Sequence, residues 1–335
     1  MIPMTELPTN SGQTDTVLDA IAARRAERRN FLRYAGGAAA SAGGLALLAA
    51  CGNDGDNPTP TPSPTASATP IAADADILNF ALNLEYLEAQ FYCWAAFGTA
   101  LPAGLTTGVG TVGTVTGGAA VPFADPIVAQ YAREIALDEV QHVTFLKATL
   151  GGSAVAMPAI NIAGDATGAF TAAARAAGVV GASGVFNPYA DDVSFLLGAY
   201  LFEDVGVSAY KGASPLIGNK TFIEAAAGIL ATESYHAGLI RSVLYRKGID
   251  AASIFTNARL ISDARDSLDG TSDIDQGIGD ATTANIVPTD TNGLAYSRSS
   301  GQVLNIVYLN KAAVASGGFF PSGINGNIRT SAASG

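Results

Sequence analysis

The sequence predicts an all-α protein built on a four-helix bundle, with a long crossover between helices 2 and 3 and a C-terminal extension. Three observations predict it. Two apolar runs, Ile135–Phe145 and Ile229–Leu239, each carry Glu-x-x-His, and the only two histidines of the chain, His142 and His236, fall at the same place in both. Two further helical runs each carry a glutamate followed seven residues later by a tyrosine, Glu85 with Tyr92 and Glu203 with Tyr210. A long Gly- and Ala-rich stretch separates the two halves. On an α-helix, residues three apart lie about 60° apart around the axis and about 4.5 Å along it. Glu139 and His142 therefore project from one face, as do Glu233 and His236. A carboxylate and an imidazole aimed at one spot make half of a dinuclear metal site, and one further Glu from each of two other helices completes it.

The composition bounds the alternatives. The 335 residues are 48% hydrophobic and only 14% charged, which suits a well-buried globular body. The net charge of −11 argues against nucleic acid and anionic membrane surfaces as partners. The two cysteines, Cys51 and Cys93, are too few for a disulfide framework or a zinc-finger site.

Residues 1–50 read as an address. Glu27-Arg28-Arg29-Asn-Phe-Leu-Arg33 resembles a twin-arginine export signal. Residues 35–50 form an apolar run too short and glycine-rich to span a bilayer comfortably. It ends in Leu48-Ala-Ala-Cys51, which resembles the lipobox of bacterial lipoproteins and would make Cys51 the lipidated first residue of the mature chain. The expected location is the bacterial periplasm or cell envelope, with the protein anchored to a membrane. Residues 51–74 form a Pro/Thr-rich linker that cannot bury a core and reads as an extended tether.

The bundle is expected over residues 75–248. Its first helix spans about 76–97, with apolar residues at 77, 78, 81, 84, 87 and 91, and Gly98 ends it. Glu85 and Glu88 both sit within its apolar face. A Gly/Thr/Val-rich loop to about 122 leads into a second helix, about 125–149, that stops at Gly151-Gly152. The crossover, 151–190, holds one short helical stretch near 168–177. A third helix, about 191–212, carries Glu203, and a fourth, about 220–247, carries the second Glu-x-x-His and ends at Gly248. Residues 249–335 form an extension packing on the bundle, with a short weak helix near 252–268 and a last one at about 299–313.

Overlaying the halves pairs Glu85 with Glu203, Tyr92 with Tyr210, Ile135 with Ile229, Phe145 with Leu239 and Lys147 with Arg241. Glu88 falls on Gly206 and has no counterpart. That selects Glu85 as the ligand and leaves Glu88 as the alternative. Six donors, four of them carboxylates, suit iron or manganese better than a structural zinc. Tyr92 and Tyr210 stand either as hydrogen-bond donors to the ligands or as ordinary core aromatics. Glu134, about 140° around the helix from Glu139, should face outward. Cys93 and Trp94 read as core or interface residues, and Asp204 as solvated or capping.

The order Glu, Glu-x-x-His, crossover, Glu, Glu-x-x-His resembles the ferritin-like superfamily. Asn83-Leu-Glu-Tyr-Leu-Glu-Ala-Gln-Phe-Tyr92, Phe202-Glu-Asp-Val-Gly-Val207 and Gly317-Gly-Phe-Phe-Pro-Ser-Gly-Ile-Asn-Gly326 resemble its desiccation-related branch. The resemblance covers roughly residues 75–328. It implies a closed bundle with Glu85, Glu139, His142, Glu203, Glu233 and His236 around two metal ions, iron or manganese. Glu139 and Glu233 would bridge them, and Glu85 and Glu203 would cap one each. The expected function is oxidative or desiccation stress protection through peroxide, oxygen or ferrous-iron chemistry. The alternatives are a metal-binding but non-catalytic lipoprotein and a structural envelope protein. The expected partners are a small-molecule oxidant or metal ion and, through the lipid, a membrane. An oligomer fits the pattern, but the extension and tether argue against a ferritin cage.

Overall fold

The computed structural model describes residues 74–334. The segments read as an export signal with Arg28 and Arg29, as a lipobox with Cys51 and as a Pro/Thr linker lie outside the described residues, except that Asp74, expected to end the linker, opens the first helix.

Seven α-helices carry the described residues: α1 (Asp74–Phe97), α2 (Pro126–Leu150), α3 (Ala169–Ala177), α4 (Asp192–Ala213), α5 (Lys220–Asp250), α6 (Ser253–Asp269) and α7 (Ser300–Val307). The all-α, ferritin-like bundle expected from the sequence is what the chain forms. α1 packs chiefly on α2, and α4 on α5. Side-chain caps start three of the four bundle helices. Asp125 accepts from Ile127 N, Asp191 from Ser194 N and Asn219 from Thr221 N, each satisfying an amide that helix geometry leaves open. At α1, Asp74 instead accepts from the Gly218 and Asn219 amides, 2.9 Å each, and joins the starts of α1 and α5.

The crossover is long for a geometric reason. Asp192, opening α4, accepts from the Ala124 and Asp125 amides just before α2, so α2 and α4 begin at the same end of the bundle. A chain leaving α2 at Leu150 must return along the 25 residues it has just run, about 37 Å at 1.5 Å per residue. On the way it forms β2 (Ile160–Ile162), paired in parallel with β1 (Val115–Gly117) in the register Val115↔Ile160, Thr116↔Asn161, Gly117↔Ile162. This strand pair was not expected. The Gly/Thr/Val run of the first loop alternates too irregularly to announce it, and the pairing needs glycine, since a Cβ on Gly117 would lie 2.3 Å from Ala163 Cα.

α2 and α5 each bury one stripe, whereas α1 and α4 are buried on nearly every face. The C-terminal extension accounts for the difference. Asn325 exchanges hydrogen bonds with Asn83 of α1, and the Arg298 amide donates to Ser208 O on α4. Phe319 packs edge-on to Phe170 and Phe202.

Two expected boundaries need correction. Gly248 does not end α5, which continues to Asp250. The missing side chain instead admits the ring of Phe255 on α6, since a Cβ there would stand 2.8 Å from it. The last helix stops at Val307, not near 313. Leu309 turns to φ 54°, and the Val307 carbonyl accepts from Phe319 N rather than from a continuing helix. The apolar run Val303–Tyr308 hides this break because its apolar side chains serve core packing on both sides of it.

Candidate metal centre

The six residues singled out by spacing meet midway along the bundle. Glu85, Glu139, Glu203 and Glu233 are at most 1% exposed, and both histidines are buried. His142 Nδ1 lies 3.1 Å from Glu85 Oε2, 3.5 Å from Glu139 Oε2 and 3.6 Å from Glu233 Oε1. His236 Nδ1 lies 3.1 Å from Glu139 Oε1 and 3.6 Å from Glu203 Oε2. The donor atoms thus fall into two groups close enough to surround an ion each, Glu85–Glu139–His142–Glu233 and Glu139–Glu203–His236. Glu139 belongs to both, with one oxygen toward each imidazole. Glu233 gathers with the His142 group only, so the two expected bridging carboxylates differ in position.

These residues fit a metal. Both oxygens of Glu139 and of Glu233, Glu203 Oε2 and His236 Nδ1 are buried without a hydrogen-bond donor or acceptor. Buried carboxylates left that way cost several kcal/mol each unless a cation compensates them (roughly, by analogy with unpaired buried polar groups). The oxygen-rich donor set suits iron or manganese.

Burial drives the electrostatics. It pushes Glu85 up to about 7 and Glu203 up to about 8, against the pull of His142 and His236 respectively. Glu233 is raised well above the carboxylate range by burial and then by Glu139. Burial also acts to raise Glu139, but His142 and His236 outweigh it and hold that carboxyl below its ordinary value. His236 loses basicity to burial yet ends raised to about 10, chiefly through Glu203. Burial thus raises Glu85, Glu203 and Glu233 while the two imidazoles draw Glu139 the other way, so the four acids of the cluster are pushed apart in acidity.

Tyr92 and Tyr210 bond to the ligands: Tyr92 donates to Glu203 Oε1 and Tyr210 to Glu85 Oε1. Each tyrosine fixes one oxygen of a carboxylate and leaves the other facing a histidine. Glu88 is buried beside the cluster but outside both donor groups. Its place above Gly206 is physical, not only an overlay. A Cβ at 206 would stand 2.3 Å from Glu233 Oε2 and 3.6 Å from Glu88 Oε1, so the glycine makes room for both carboxylates. Glu134 is exposed, as expected. Cys93 is buried, and burial pushes its thiol up to about 12, away from redox chemistry.

A ferritin-like domain matches residues 73–246, a span that holds all six donors. The chain belongs to the ferritin-like family. Among its relatives, the ferritin-like catalase Nec2 of Nesocodon mauritianus is 30% identical over 269 residues, 76% of this chain and 85% of that protein. The desiccation-related protein PCC13-62 of Craterostigma plantagineum is 29% identical over 251 residues, 69% of this chain and 76% of that protein. The second relative belongs to the branch that the Asn83–Tyr92 and Gly317–Gly326 segments resemble. No solved structure matches.

Two groups around this ferritin-like site escaped the sequence reading. Asp138 Oδ2 lies 3.4 Å from His236 Nε2, the nitrogen facing away from the donors. A carboxylate there fixes the ring's orientation. It stands next to Glu139, but its counterpart in the overlay is Thr232, so the repeat did not reveal it. Asp204 was expected to be solvated and is instead buried between two arginines. Arg241 Nη1 and Arg265 Nη2 each lie 2.8 Å from its Oδ2. Arg265 Nε is 2.8 Å from Asp275, which also pairs with Arg298, and Arg298 Nε is 2.6 Å from Asp269. This network binds the extension to the back of the Glu203 helix.

Proposed function

We propose that Glu85, Glu139, His142, Glu203, Glu233 and His236 hold two iron or manganese ions side by side, and that the centre decomposes hydrogen peroxide. The observation that carries this reading is Glu139, whose two oxygens reach toward two separate donor groups. Two redox-active ions held by these residues would supply the two-electron chemistry that peroxide decomposition needs, with Glu139 available to both donor groups. The catalase activity in the name of one relative favours peroxide over storage of iron. The protein's own part is to hold the donors. Tyr92 and Tyr210 orient Glu203 and Glu85, Asp138 orients His236, and the apolar walls of α1 and α4 keep bulk water out. Glu88, raised well above the carboxylate range by burial and then by Glu139, stands beside the centre. The physiological role would be protection against oxidative or drying stress.

Elemental analysis of the purified chain should give close to two ions. Glu139→Ala combined with His142→Ala should lower that sharply, while Glu88→Gln should keep both. Oxygen release from peroxide should require the bound metal. Unchanged metal content in the double variant would sink the site. Loaded protein that releases no oxygen would favour a non-catalytic metal-binding role.

The proposed setting is the bacterial envelope, supported by the twin-arginine and lipobox resemblances alone. Replacing Arg28 and Arg29 with Lys should leave precursor in the cytoplasm, and Cys51→Ser should free the protein from membranes. Normal fractionation of both variants would remove the export reading.

A further inference from the structure

The four glutamates of the centre are shut off from solvent, while the His142 side chain keeps 10% of its surface exposed, so a substrate reaches the glutamate side only through protein. Two cavities that share part of their walls adjoin it. The outer one, about 320 Å³, sits among α3, α4, α6 and α7, with Phe170, Leu197 and Leu268 in its wall and the exposed Lys311 at its rim. The inner one, about 20 Å³, sits among α1, α4 and α7 and is lined by Leu84, Glu88, Gly206 and Tyr210. Leu201 and Ile306 line both. The inner cavity reaches the centre itself: Tyr210 donates to Glu85, and the Gly206 backbone lies against the Glu233 carboxylate.

We infer that these cavities are the access path for a small neutral oxidant, dioxygen or undissociated hydrogen peroxide, with Leu201 and Ile306 as the partition between an outer chamber and an inner cell. This rests on the dinuclear reading of the site. Three features point to that class of substrate. A cell of about 20 Å³ is only slightly above the roughly 10–15 Å³ that a water needs, so it sizes out larger molecules. The walls of both cavities are mainly aliphatic and aromatic, which rejects ions for want of hydration. The partition consists of two aliphatic side chains, which can swing between rotamers without breaking a hydrogen bond. The overlay shows why this side differs from its mirror image. α1 presents Glu88 where α4 presents only Gly206, so one acid and one gap stand together at the inner cell. The other thin place in the wall is at the histidines, where Asp138 lies beside His236. Access there would be polar and would bypass Leu201.

Two measurements on the full chain test the path. Xenon occupies dry apolar cavities. Pressurised crystals of metal-free protein should hold xenon in the outer chamber. Leu201→Ala should extend the xenon density toward Glu88, and Leu201→Trp or Ile306→Phe should abolish it near the partition. With the iron(II)-loaded protein, the second-order rate of reaction with dioxygen or peroxide should fall at least tenfold in Leu201→Trp and in Ile306→Phe, at wild-type metal content. It should rise or hold in Leu201→Ala. An empty outer chamber, or both bulky variants reacting at the wild-type rate with full metal content, overturns the path and moves access to the histidine side. Wild type that takes up no metal overturns the dinuclear reading instead, and is recognised because the variants then lack metal equally.

Discussion

Tyr92 on α1 donates its hydroxyl to Glu203 on α4. Its counterpart Tyr210 on α4 returns the same bond to Glu85 on α1. Each helix therefore aims the carboxylate of the other, and the α1–α4 contact is part of the metal-holding apparatus rather than passive packing. Tyr92→Phe and Tyr210→Phe should each weaken metal binding by about 10–100-fold, the usual effect of losing a partner that orients a ligand. The fold should survive, because the rings remain packed. Competition with a chelator of known affinity reads the loss, and affinity equal to wild type in both variants would make the tyrosines plain core residues.

Without metal, the chain should become more stable on acidification from about pH 9 to 5. Glu85 and Glu203 have folded values raised to about 7 and about 8. Their contributions are complete below the unfolded value near 4.5 and are lost as pH rises through those folded values. His236, raised to about 10, has the same sign: its contribution is complete below about 6.5 and is lost as pH rises through about 10. Glu139 has the opposite sign. Its folded value is depressed, so its contribution holds above about 4.5 and is lost only as pH falls further. Loaded protein should behave differently, since protons compete with metal for the same atoms and the metal-dependent increment shrinks on acidification. Melting curves of chelated and loaded protein across this range check both signs, and coincident curves would contradict the proposed centre.

Arg241→Ala should destabilise the chain by about 3–5 kcal/mol, the cost of leaving a buried ion pair half broken. Asp204 would keep only Arg265, the Asn285 carbonyl would lose its donor, and the Gln276 and Gly277 carbonyls would keep only Tyr200 and Asn285. Denaturant unfolding reads the change. A loss below about 1 kcal/mol would mean that water enters and solvates the site.

The donors were legible in the sequence because α2 and α5 show one stripe to the core, so a three-residue spacing alone puts Glu and His together. Choosing Glu85 over Glu88 rested on the internal repeat, and the structure places Glu85 within a donor group and Glu88 outside both. The Asp204 network was not legible. Its partners lie 37 and 61 residues away on different helices, and nothing local marks an aspartate as buried. The end of α7 was misread for a related reason: Leu309 is apolar, like the helix before it, and only its backbone angle breaks the run.

The bonds between Asn83 and Asn325 join positions 242 residues apart. A ribosome working at roughly 5–20 residues per second needs about 12–50 s to make the intervening chain. Throughout that interval the α1 face that Asn325 covers lacks this partner. Closure of that face of α1 therefore waits until residue 325 has been made, long after α1 itself.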